Sequence, residues 1–295
     1  MITARPTLAY FGHHKCGSTM ILILIEKLCH YMGLTHAHFH SPKQWTKDGA
    51  APRTLDAVID DLCLDFVSYI SADINFIADK QKYRGVHVIR DPRDIAVSSY
   101  FSHRYSHPTD YWPELVEFRK FLETLSEEEG LLENMKFTAK LRVDGWDLNL
   151  FDTLMDWDYS MPNVMEVKFE DLVAHPYQVF VEMFEFLGLV DDSDILASGP
   201  KSMLRYKIRM SNPQWHIFKK IYQIPAWMIF SFVYTNRFAK LAGGRDPGQE
   251  DVRSHYRKGT PGDWRNHFNA RHKKFFKDHY NELLIKLGYE KDTNW

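Results

Sequence analysis

The chain has 295 residues, of which 44% are hydrophobic, 15% aromatic and 26% charged, a composition that supplies a large core and excludes a disordered chain. Its 37 basic and 39 acidic residues leave a formal net charge of −2, so no overall basic field exists to hold nucleic acid and any anion must be bound locally. The three cysteines, Cys16, Cys29 and Cys63, lack zinc-like spacing and suit a reducing compartment. The length fits one α/β domain over residues 1–295. The first apolar stretch is broken by Gly12-His13-His14-Lys15, unlike a signal peptide, so a cytoplasmic location is expected.

Taken in order, Leu8 to Phe11 reads as a strand. Gly12 to Gly17 is a glycine-bounded loop, and residues 18 to 32 form a helix stopped by Gly33. Asp65 to Ile70, Gly85 to Ile89 and Val164 to Phe169 read as further strands, and a helix is expected from near Asp94. The run Glu114 to Arg142 is charged and helical in period, with Glu127-Glu128-Glu129 a solvated face. Tyr177 to Gly188 is a helix closed by glycine. Alternating strands and helices predict a parallel sheet flanked by helices, with ligands beyond the carboxyl ends of the strands, where Lys15, Asp73 and Arg90 would lie. Residues 201–250 are looser and rich in aromatics, and form a variable acceptor or lid region. Within them Ile224 to Tyr234 is too short to span a bilayer, so no transmembrane span is expected.

The first loop has Gly12-x4-Gly17 spacing, but Ser18 stands where the ATPase pattern has lysine, and the lysine is inside the loop at Lys15. Backbone N–H groups at a strand-loop-helix junction point at an anion, although spacing alone leaves an ordinary turn open. The strand ending at Ile89 leads into Arg90 rather than a metal-holding carboxylate, which favours direct contact with phosphate oxygens. Ser98, eight residues on, would lie on the following helix. The competing view of Arg90 is a structural pair with Asp91 or Asp94.

Lys15-Cys16-Gly17-Ser18-Thr19, Arg90-Asp91-Pro92-Arg93-Asp94 with Val97-Ser98, and Arg257-Lys258-Gly259 with Gly262-Asp263-Trp264 resemble three motifs. They are the cofactor motifs of sulfotransferases that use 3′-phosphoadenosine 5′-phosphosulfate (PAPS). The stretch Phe169-Glu170-Asp171-Leu172 with Pro176 is similar to a fourth, and the resemblance spans roughly residues 8 to 288. It implies a P-loop-like sulfotransferase fold and transfer of a sulfuryl group from PAPS to a hydroxyl or amine of a small acceptor, leaving the product PAP and needing no metal. By the resemblance Lys15, Gly17, Ser18 and Thr19 hold the 5′-phosphosulfate, and Arg90, Ser98, Arg257, Lys258 and Gly259 hold the 3′-phosphate. Cytosolic members carry Trp after the first loop and Tyr in the fourth stretch. Met20 and Phe169 stand there in this chain and are expected at the cofactor.

Those members also place a histidine base in a Lys-Thr-His triplet. This chain reads Tyr69-Ile70-Ser71-Ala72-Asp73, which makes Asp73 the expected base, with His14 and His40 as alternatives and helix capping as the plainer role of Asp73. Cys16 reads as a small loop residue rather than a nucleophile. His36, His38 and His40, and the pair His103 and His107, are expected as satisfied or exposed histidines, since no cysteine or well-spaced carboxylate joins them to make a zinc site. The aromatics of Trp215 to Tyr234 suggest an apolar or ring-bearing acceptor. The other readings are a P-loop small-molecule kinase, which the residue after Gly17 argues against, and a nucleotide-binding protein without catalysis.

Overall fold

The computed structural model describes residues 5–46, 51, 53–191, 208–211 and 220–295. Most of the first half of the expected acceptor region, 201–207 and 212–219, lies outside the described residues, and Trp215 with it.

Five parallel strands form the central sheet in the order β2-β3-β1-β4-β7. They are β1 (Thr7–Phe11), β2 (His36–Phe39), β3 (Phe66–Tyr69), β4 (Tyr83–Ile89) and β7 (Val164–Lys168). A separate two-stranded hairpin joins β5 (Arg142–Val143) to β6 (Trp146–Asp147). β1 is central, pairing Leu8 with Phe66 on one side and Ala9 with Gly85 on the other. Successive side chains alternate between faces, so Tyr10, Val86 and Val88 enter one core while Ala9, Phe11, Val67 and Tyr69 enter the other. Helices cover both faces, which is why β3 is buried throughout instead of alternating with solvent.

Helix α1 (Ser18–Met32) starts at Gly17 and stops at Gly33, both in left-handed backbone. Its buried side chains Ile21, Leu24, Ile25, Leu28 and Met32 recur at helical spacing and face the sheet. Helix α2 is Leu55–Leu62. Helix α3 (Pro92–Phe101) begins two residues earlier than expected, because Asp91 accepts the Arg93 N–H at 2.9 Å as its cap and Pro92 takes the first position. The charged run resolves into two helices, α4 (Pro113–Glu123) and α5 (Glu127–Ala139), with Ser126 capping the second. Helix α6 is Leu150–Asp156. The strand expected to reach Phe169 ends at Lys168, and Phe169 opens helix α7 (Phe169–Ala174), followed by α8 (Pro176–Phe186). The chain finishes with α9 (Ala226–Thr235), α10 (Phe238–Leu241), α11 (Trp264–His267) and α12 (Ala270–Lys286). No helix among the described residues is long and apolar enough to cross a membrane.

Candidate functional site

The first loop is tied to the neighbouring strand at its base, where the Gly12 N–H donates to the Tyr69 carbonyl and the Ala72 N–H donates to the Gly12 carbonyl, each at 2.9 Å. Lys15 at φ 65° and Gly17 at φ 81° turn the chain into α1, leaving the first N–H groups of that helix at the loop. At Gly17 a side chain is excluded twice over: the backbone is left-handed, and a Cβ would stand 2.6 Å from the Phe169 ring. Ser18 is held in place by the Tyr10 hydroxyl, which donates to it at 3.0 Å. Burial pushes the Cys16 thiol up to about 12, so it is a neutral packing residue, not a nucleophile.

Arg90 settles one of the sequence-level alternatives. Asp91 is taken by Arg93, whose guanidinium also reaches Glu290 at 2.5 Å and packs between Trp264 and Trp295. Asp94 accepts the N–H groups of Gly262 (2.5 Å) and Trp264 (2.9 Å). Arg90 therefore pairs with neither. Its Nη1 donates to the Lys15 carbonyl at 2.9 Å, its guanidinium lies 4.6 Å from the centre of the Phe169 ring, and its buried Nε has no partner among the described residues. A buried guanidinium with an unused donor and, among the described residues, no carboxylate bonded to it has the chemistry to receive an anion. Ser98 is half-buried on α3, one turn before Phe101, over whose ring the Arg257 guanidinium sits at 4.4 Å.

The third motif is shaped by Arg245, which donates to the carbonyls of Gln249, Tyr256 and Arg257 and folds the preceding loop around them. Asp263, almost fully buried, accepts from Arg257 and Lys258 at 2.5 Å each and from Asn266 at 2.8 Å. Hydrogen bonds from His267, Lys258, Asn266 and Arg257 outweigh its burial and hold its carboxyl far below the usual range. Arg257 also pairs with Glu250, so both cations of this motif are ion-paired. Gly259 (φ 68°) sits directly under Phe238, where a Cβ would approach the ring to 2.5 Å. Thr19 and His255 join the first and third motifs through a 3.0 Å hydrogen bond.

Lys15 is half-buried among these groups, and burial followed by the charges of Arg90 and Arg257 pushes its ammonium down to about 7. The three motifs thus converge on one rim at the carboxyl ends of β1 and β4. Met20 is half-buried on α1 against the core, and Phe169 covers Gly17 and Arg90. Asp73 follows Ala72 at the loop base and is half-buried. Its carboxylate caps the turn Ile74–Phe76, accepting from the backbone N–H and the side-chain amide of Asn75 at 2.9 Å each.

Two histidine pairs that the sequence does not reveal lie at the first loop. Beneath it, His13 Nε2 is 2.7 Å from His87 Nε2, and His87 Nδ1 is 2.6 Å from Glu166, whose other oxygen accepts from the Trp157 indole. Burial holds this group without charge, moving Glu166 up to about 8 and His87 down to about 3. Beside the loop, His14 Nε2 lies 3.2 Å from His103 Nε2, the ring centres are 5.3 Å apart with their planes 20° from parallel, so that the rings meet edge to edge, and His107 and Trp112 close around them. The spacing of His103 and His107 was the signal for the second pair. It read as ordinary because His14 is remote in sequence. His40 is exposed beyond β2.

Residues 73–198 match the sulfotransferase domain family. No curated protein matches the chain in sequence. Among solved structures, the fold is similar to that of mouse sulfotransferase SULT7A1 complexed with PAP, with a TM-score of 0.56 at 15% identity over 95% of this chain and 86% of that one. It is also similar to retinol dehydratase with androsterone and inactive cofactor PAP, at TM-score 0.51 and 15% identity over 96% and 82%. The retinol dehydratase complex with retinol and PAP gives TM-score 0.50 and 16% identity over the same shares. At these identities the likeness is one of fold.

Proposed function

From a chain that carries a sulfotransferase domain in a sulfotransferase fold, we propose a specific reaction: transfer of a sulfuryl group from PAPS to a hydroxyl or amine of a small acceptor. The observation that carries it is the buried Arg90 guanidinium, whose Nε has no partner and which bonds no carboxylate among the described residues, beside the N-terminal end of α1 and a strongly perturbed Lys15. A ligand phosphorylated at both ends fits two anion sites on one rim. In this reading Lys15, Gly17, Ser18 and Thr19 hold the 5′ end, while Arg90, Ser98, Arg257, Lys258 and Gly259 hold the 3′-phosphate. Met20 and Phe169 border the nucleotide.

The reaction is an in-line displacement in which Lys15 and the loop N–H groups stabilise the charge growing on the departing phosphate. Asp263 keeps Arg257 and Lys258 oriented before the anion arrives. Androsterone and retinol in the retinol dehydratase complexes favour trying apolar ring-bearing acceptors first.

A thermal-shift series tests the donor. PAP should raise the melting temperature well above any effect of ATP with Mg²⁺. Turnover of radiolabelled PAPS across a panel of phenols, sterols and amines then identifies the acceptor class. Stabilisation by ATP with Mg²⁺ equal to that by PAP, with no sulfated product, would overturn the reading.

A further inference from the structure

Sulfuryl transfer to a hydroxyl or amine releases a proton, which needs a base with a free lone pair at the site. The orientation of Asn134 determines where that lone pair is. Asn134 is fully buried on α5 and its amide nitrogen donates to the Ala96 carbonyl (3.1 Å), Ser99 Oγ (2.8 Å) and Thr138 Oγ1 (3.3 Å). A backbone carbonyl can only accept, so the amide cannot be turned around. Its Oδ1 therefore faces His103 Nδ1, at 2.7 Å, and His103 must carry its proton on Nδ1.

Burial and the neighbouring His107 and Lys15 keep His103 neutral, which leaves its Nε2 as an acceptor. The only hydrogen that can occupy the 3.2 Å contact is then that of His14 Nε2. Neutral His14, carrying its single proton on Nε2, has its lone pair on Nδ1. The side chain stands in the first loop, next to Lys15.

We propose that His14 Nδ1 is the base that takes the acceptor's proton, with His103 and Asn134 as positioning residues that fix its tautomer. The proposal rests on the sulfotransferase reading above. In the step, a lone pair on the acceptor oxygen or nitrogen forms the new bond to sulfur. The bond from sulfur to the bridging phosphate oxygen breaks, and its electron pair leaves with PAP. The acceptor's proton moves to His14 Nδ1, and the resulting imidazolium keeps its Nε2–H bonded to His103. Asp73 remains the cap of its turn. The charged or titratable groups facing His14 are His103 and His107 after α3, Lys15 in the loop and His40 beyond β2. With burial they keep His14 in its neutral, proton-accepting form at pH 7, and the negative charge of bound ligand opposes them when the imidazolium forms.

The test reads the ring nitrogens of His14 by nitrogen-15 NMR in the PAP-bound protein, and compares four variants. His14 should show a protonated Nε2 and a bare Nδ1. His103→Phe, which keeps a ring against Trp112 and Phe137, should leave His14 a mixture of tautomers and lower kcat about tenfold, with PAP affinity retained. Asn134→Leu should shift the His14 signals in the same direction. With the acceptor found by the panel, His14→Gln should lower kcat on the order of 10²-fold at unchanged PAP affinity, whereas Asp73→Asn should stay near normal. A proton on His14 Nδ1, or full turnover in His14→Gln with Asp73→Asn inactive, overturns the proposal while PAP binding leaves the sulfotransferase reading standing. Loss of PAP binding by the unmodified protein would instead overturn that reading.

Discussion

Lys15 is the residue whose protonation reports on the site. Its ordinary value of 10.5 falls to about 7 in the folded chain through burial and the nearby charges of Arg90 and Arg257. Between those two values the unfolded chain holds a proton that the folded one lacks. Lys15 therefore makes stability rise with pH across that window, and the gain is lost as pH falls through 7. A bound anion reverses the cause of the shift and restores the proton. We expect PAP binding at pH 8 to take up about one proton, and affinity to fall by up to about tenfold per pH unit above 7. Calorimetry in two buffers of different ionisation enthalpy measures the uptake. Equal uptake by Lys15→Gln would show that another group is responsible.

At the scale of elements, the third motif depends on how closely α10 lies over it. Gly259→Ala should cost about 1–2 kcal/mol for the left-handed backbone alone, and more for the collision with Phe238. Adding Phe238→Ala should recover only the second part, which denaturant titration of the single and double variants will separate; a neutral Gly259→Ala would contradict the packing. Strands β1, β3, β4 and β7, the first loop and α1 were legible in the sequence because each is set by local signals, an apolar run, Gly17 and Gly33, whereas β2, with its alternating histidines, and the short hairpin were not assigned as strands. Asp73 as a cap was legible for the same reason. The partners of Asp91 and Asp94 were not, since Glu290, Gly262 and Trp264 arrive from the far end of the chain. The His14–His103 contact was hidden likewise, because it exists only once α3 packs beside the loop. The break between α4 and α5 at Ser126 was visible in principle, but the continuous charge pattern masked it.

Across the whole molecule, every strand pairing in the central sheet joins distant segments: Leu8 meets Phe66, Ala9 meets Gly85, and Gly85 meets Val164. The rim joins segments farther apart still, since Lys15, Arg90 and Arg257 come from three distant parts of the chain. Non-local pairing is slow to form, because chain entropy is lost before contacts compensate. We therefore expect the proposed anion site to form late in folding, after the rate-limiting barrier. A ligand for such a site acts as a kinetic latch. PAP at about 100 times its dissociation constant should slow unfolding about 100-fold and leave the refolding rate unchanged. Denaturant-jump kinetics with and without PAP will tell; acceleration of refolding would mean the rim assembles early. Resistance to unfolding would then follow how much nucleotide is bound, although folding speed would not.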